Sequence, residues 1–199
     1  MARKAIRLEW FTIAWNCLEA VIALASGLLA GSIALVGFGF DSCIEVASGS
    51  AVLWRMRHDA EEARREGLER ASLRMVGACF LALALYMAYE SAECLLAGKA
   101  PKQSLAGILL AAASLVVMPL LSRAKRRVAG PLGSAALSAD ARQTDFCAYL
   151  SAILLAGLLL NALFGVWWAD PLAALVMTPI IAKEGTEALR AKTCCGRRC

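Results

Sequence analysis

Residues 32–54 read SIALVGFGFDSCIEVASGSAVLW, and the reading of this stretch decides the fold. It is too apolar for a surface helix and long enough to cross a bilayer, for which about 20 residues suffice. Yet it carries two carboxylates, Asp41 and Glu45. A charged side chain near the bilayer centre costs about 2.5–3.5 kcal/mol on insertion scales, so acids in this setting point to function. Their i,i+4 spacing puts them on one helical face, within a few ångströms of each other. Two like charges so placed repel unless a cation or protons sit between them. That is the chemistry of a cation path.

The rest of the chain agrees with a membrane setting. Its 199 residues are 60% hydrophobic and its mean hydropathy is +0.62, which excludes an ordinary soluble domain. Apolar runs at 9–30, 32–54, 75–96, 104–122, 135–163 and 171–187 predict an all-α membrane protein of six transmembrane helices. The expected organisation is one membrane domain over residues 1–189 and a short cytoplasmic tail, 190–199. Ala23-Leu24-Ala25 resembles a signal-peptidase site, but Asn16 and Glu19 interrupt the apolar core before it, so no cleavage is expected.

The net charge of +5 raises the question of a nucleic-acid partner, and the distribution of charge answers it. Of 21 basic residues, 18 fall before the first run, between the second and third, between the fourth and fifth, or at the end of the chain. The opposite connectors hold only Lys99 and Lys102. The positive-inside rule then makes both termini cytoplasmic, in a multi-pass protein of the cell membrane with no nucleic-acid partner.

Eight cysteines form no disulfide framework here. Cys17, Cys43, Cys79, Cys94 and Cys147 lie in or at the ends of spans, and Cys194, Cys195 and Cys199 face the reducing cytoplasm. The lone His58 sits in a charged connector, DAEEARREGLER with its flanks, which is expected to be a solvated helical extension. A basic Gly/Pro-containing loop is expected over residues 123–133. Trp167 and Trp168 mark a membrane interface, and Asp170-Pro171 reads as an N-cap followed by proline at the first turn of the last helix.

The fifth run carries a polar stripe, Asp140, Gln143, Thr144 and Cys147, at i,i+3 and i,i+4 spacing. If the second and fifth helices are antiparallel neighbours, depth counted from their ends pairs Asp41 with Cys147 and Glu45 with Gln143. Two ligands from each helix make a four-point cage, the number that Zn²⁺ prefers. A thiolate biases such a cage toward Zn²⁺ or Cd²⁺ and away from Mg²⁺ and Ca²⁺. Asp140 lies about a turn nearer the cytoplasm, either as a further ligand or gate or as an acid favoured by the helix dipole. Glu19 and Asn16 on the first helix are candidate supporting groups or a proton relay. For the acidic pair the bland alternative is neutralisation by Arg142, which is also the expected partner of Asp145. Glu90 and Glu93 read as solvated acids at a span end.

At these residues the chain resembles the cation diffusion facilitator family of metal/proton antiporters. The resemblance rests on Gly31-Ser32-Ile33-Ala34-Leu35, the pair Asp41 and Glu45, Ala139-Asp140-Ala141, and Trp167-Trp168-Ala169-Asp170-Pro171. It covers nearly all six runs. Family members carry His or Asp followed four residues later by Asp in both helices; those positions fall on Asp41 and Glu45, and on Gln143 and Cys147. The first pair fits with a conservative change and the second departs in both residues. A histidine-rich loop and a C-terminal cytoplasmic domain are not seen, so the chain looks like a short branch of the family. The resemblance implies export of Zn²⁺, or of Cd²⁺ or Co²⁺, by alternating access. It also implies a homodimer, with protons moving in the opposite direction and no cofactor beyond the transported ion. A non-transporting membrane partner of another transporter is the alternative. An enzyme is disfavoured, because no Ser/His/Asp set, zinc-protease helix or phosphate-binding glycine loop is found.

Overall fold

The computed structural model describes residues 2–57, 62–132 and 135–190. His58 and the tail cysteines Cys194, Cys195 and Cys199 lie outside the described residues, as does most of the predicted tail. Among the described residues the fold consists of six helices: α1 (Ala2–Ala30), α2 (Ile33–Arg57), α3 (Glu62–Ala97), α4 (Leu105–Leu132), α5 (Ala135–Phe164) and α6 (Ala169–Arg190). Within a bilayer no water satisfies backbone groups, so apolar segments close their hydrogen bonds internally as helices. Five of the six, α1 to α5, are long and apolar enough to cross a membrane by themselves. The sixth, α6, is interrupted by Lys183, Glu184 and Glu187 in its second half, and it runs in close contact with α3.

Three short connectors meet at one end of the bundle. Gly31, Gly98 and Gly165 end α1, α3 and α5 in the left-handed region, with φ of 67°, 63° and 65°. Ser32 N and Lys99 N close back on Gly27 O and Cys94 O at 3.0 and 3.2 Å, the bond that satisfies an orphan carbonyl at a glycine-terminated helix end. Lys102 N donates to Ala30 O at 2.7 Å and Asn161 Nδ2 to Pro101 O at 3.1 Å, tying the connectors together. We call this the clamped end. The opposite, basic end holds a small apolar cluster of Ala5, Ala129 and Leu137.

Two expectations change here. Asp170 does not stand outside α6 as its N-cap. It lies in the first turn, and its carboxylate accepts from Ser32 Oγ and, at 2.9 Å, from Ile33 N, capping α2 instead. The unsatisfied amides at the start of α2 attract that carboxylate. The basic segment from Arg123 is not a loop but helix as far as Leu132. Ser122, Lys125 and Ala129 fall on one helical face and are buried, so packing holds the helix beyond its apolar run.

In packing, α1 lies on α2, α4 on α5 and α3 on α6, while α2 also touches α3, α5 and α6. The core contains Leu35, Phe38, Met87, Met118, Leu154, Met177 and Ile181. Large apolar side chains such as Leu29, Leu85, Leu96 and Leu163 point outward, as expected of a lipid-facing surface. Helices α3 and α6 approach backbone to backbone. A Cβ on Gly77 would stand 2.8 Å from Gly185 O, and one on Gly185 would stand 3.0 Å from Gly77 O.

Candidate cation site

Helix α2 sits among α1, α3, α5 and α6 and presents Asp41 and Glu45 to the bundle interior, 4% and 5% exposed. Neither forms an ion pair among the described residues. Arg142, the candidate neutralising partner, is exposed and paired with neither acid. Two buried acids one turn apart are thus left without an ion-pair partner among the described residues, and Lys125 acts on Glu45 only without direct contact.

The pair has two faces. Toward α1 and α4, Asn16 Nδ2 donates to Glu45 Oε2 at 2.7 Å. Ser42 Oγ lies 3.3 Å from Glu19 Oε2 and 3.1 Å from Phe38 O, so its single proton serves one of them at a time. Asn16 and Glu19 are fully buried, and Asn16 Oδ1 and Glu19 Oε1 have no hydrogen-bond partner among the described residues. The Cys147 thiol, 1% exposed, has Glu45, Glu19 and Asp41 as its charged neighbours and lies beside Ser114. Toward α5 and α6, Asp41 and Glu45 line a narrow cleft with Gln143, Phe146, Leu150, Ile180 and Glu184. The cleft has room for about one water or bare ion. Asp41 accepts no hydrogen bond from any described residue.

Register between α2 and α5 differs from the depth count. Gln143 Oε1 accepts from Ser48 Oγ at 3.0 Å, placing it nearly a turn nearer the basic end than Glu45. Glu45 is then the acid that meets the level of Cys147. Counting from span ends treats the two helices as starting level, whereas α5 has 30 residues and α2 has 25. Among the described residues no three of His, Cys, Asp and Glu converge to metal-ligating distance. Asp41, Glu45, Gln143 and Cys147 therefore surround the position without closing a cage in this conformation.

A family model described as the cation efflux transmembrane domain matches residues 10–193. The chain belongs to the cation efflux family. No curated protein matches the sequence significantly. Membership makes it a multi-pass membrane transporter of metal cations, the metal being substrate rather than cofactor.

Outside the acidic pair, this cation efflux domain holds a second charged cluster. Asp140 is in an ion pair with Lys125, whose ammonium also lies 3.6 Å from Glu9 Oε2 and 3.4 Å from Thr144 Oγ1. Lys125 and Glu9 are fully buried, and Asp140 is 7% exposed. The structure thus separates Asp140 from the cleft that holds Asp41, Glu45 and Gln143. Asp145 pairs with Arg126 across to α4, not with Arg142. Arg142 lies three residues before it on the same helix, whereas Arg126 reaches it from α4.

Three charged residues of this interior were not singled out from the sequence. Glu184 had a detectable signal, since an acid inside an apolar run deserves the same question as Asp41. Its neighbours Lys183 and Glu187 make the segment more polar. Lys125 was absorbed into the basic count, and Glu9 marked only the start of a run.

Proposed function

We propose that this protein exports Zn²⁺, with Cd²⁺ and Co²⁺ as alternative substrates, in exchange for protons by alternating access. The observation that carries the reading is the buried acid doublet, Asp41 and Glu45, which has no ion pair among the described residues of the six-helix bundle. Apposed carboxylates in an apolar interior need compensating positive charge. A divalent cation supplies it in one state and protons supply it in the other, so the two substitute for each other at one place. Gln143 from the cleft side and Cys147 from the opposite side are the α5 groups placed to add ligands. The Cys147 thiolate favours the softer ions of the series. Asn16 holds Glu45 in position, and Glu19 with Ser42 offers a buried acid for a proton leaving the pair. Asp140, held by Lys125, belongs to the closure of the basic end rather than to the ion's ligand set in this conformation.

The basic end and both termini lie in the cytoplasm on this reading, in keeping with the positive-inside bias, and the working unit is a homodimer. The test is Zn²⁺ uptake into dye-loaded proteoliposomes under an imposed pH gradient. Wild-type protein is expected to move Zn²⁺ and dissipate the gradient. Asp41→Asn, which removes a buried like charge and so leaves the fold intact, is expected to abolish both. Undiminished flux in a well-folded Asp41→Asn protein would remove the site. A folded wild type that binds Zn²⁺ but never moves it would favour a non-transporting partner.

A further inference from the structure

We propose that Glu184 of α6 is a third carboxylate ligand of the transported cation, so that the cation site is shared by α2 and α6 rather than by α2 and α5 alone. The inference rests on the acid-doublet reading above. Four observations carry it.

Glu184 lines the same narrow cleft as Asp41 and Glu45. Its Oε2 is buried without a hydrogen-bond partner among the described residues. Asp41, 4% exposed and lining the same cleft, accepts no hydrogen bond from any described residue, so it and the half-buried Glu184 face one small space. The level along the bundle also agrees. Asp170 on α6 is bonded to Ser32 at the start of α2, which fixes a common origin for the two helices. From that origin Glu45 and Glu184 differ by a single residue of helix, so their levels differ by about 2 Å.

The charged groups around Glu184 do not account for it. Lys183 and Glu187 on its own helix pair with each other at 3.8 Å. Arg142 of α5 contributes to its electrostatic surroundings but forms no ion pair with it among the described residues. Close contact of Gly185 with Gly77 seats α6 firmly beside α3, one residue from Glu184. This is a built position rather than a fraying helix end.

Chemically, the cleft side of the site offers two carboxylates from α2, one from α6 and the Gln143 amide, whose Oε1 already accepts from Ser48 Oγ. Gln143 is a weak neutral ligand, and Glu184 supplies the charge that it lacks. Closing the cleft by a small movement of α6 toward α2 would bring the carboxylates together on one desolvated divalent ion.

Zn²⁺ titration of the full chain in detergent, followed calorimetrically, tests this with Asp41→Asn, Glu184→Gln and the double variant Glu184→Gln/Gln143→Glu. Asp41→Asn is expected to lose binding. Glu184→Gln is expected to weaken it roughly tenfold, the order of one charged interaction lost. The double variant, which returns a carboxylate to the cleft from α5, is expected to recover most of that loss. Wild-type affinity in Glu184→Gln while Asp41→Asn fails would overturn the inference and leave the α2 site standing. A loss that Gln143→Glu does not repair would also overturn it, since that marks a structural role. Wild-type binding in Asp41→Asn would strike the underlying reading and take this inference with it.

Discussion

Replacing Lys125 by methionine isolates the energetics of the buried charges at the basic end. The ammonium of Lys125 is fully buried, paired with Asp140 and 3.6 Å from Glu9 Oε2. Methionine keeps most of the side-chain volume and removes the charge, leaving two buried carboxylates facing each other. Breaking a buried pair by removing one partner costs about 3–5 kcal/mol, because the remaining charge has no compensation. For a chain of this size each kcal/mol moves the melting temperature by about 2–4 °C, so Lys125→Met is expected to melt roughly 6–20 °C lower. Replacing all three groups with apolar residues is expected to return the melting temperature to near the wild-type value, since a well-packed apolar substitute for a buried ionic cluster is commonly neutral. Thermal aggregation in detergent, read by size-exclusion chromatography after heating, ranks the variants at a fixed heating protocol. A Lys125→Met protein melting within about 2 °C of wild type would refute the claim that this ammonium balances Glu9 and Asp140.

Two further outcomes are expected. Cys147→Ser should lower Cd²⁺ affinity more than Zn²⁺ affinity in competition titrations, because a hard hydroxyl replaces a soft sulfur beside Glu45, while the exposed Cys43 should tolerate serine. Equal Cd²⁺ affinity in wild type and Cys147→Ser would show that the thiol only packs. In a cysteine-reduced background, Lys99→Cys should react with an impermeant maleimide from outside the cell and Arg126→Cys only after permeabilisation. Labelling of both from the same side would remove the proposed topology.

Much of this architecture was legible because membrane solvation leaves a coarse imprint. Apolar runs marked all six helices, and Asp41 and Glu45 stood out as acids where acids are costly. What stayed hidden depends on relations between helices. Gln143 meets Ser48 rather than Glu45, a displacement of nearly one turn that no count along a single helix can supply. Arg123 to Leu132 looked like a loop by composition, yet burial of Lys125 and Ala129 keeps it helical. Asp170 looked like a cap for its own helix and instead caps α2, because the partner amides come from a residue far away in sequence. Glu184, inside the run at 171–187, was not singled out at all. Only the cleft that it shares with Asp41 distinguishes it from Glu187, which pairs with Lys183 and is exposed.

The bond between Asp170 and the first residues of α2 also has a mechanical side. It pins α6 to α2 near one end, so that a tilt of α6, carried together with the α3 on which it is packed, would turn about that joint like an arm. Glu184 lies fourteen residues along its arm from the pin, a lever of about 21 Å. A relative tilt of only about 5° there sweeps Glu184 through about 2 Å, which is the difference between touching an ion and releasing it. On the proposed reading, a small rotation at the clamped end would become a change of grip at Glu184.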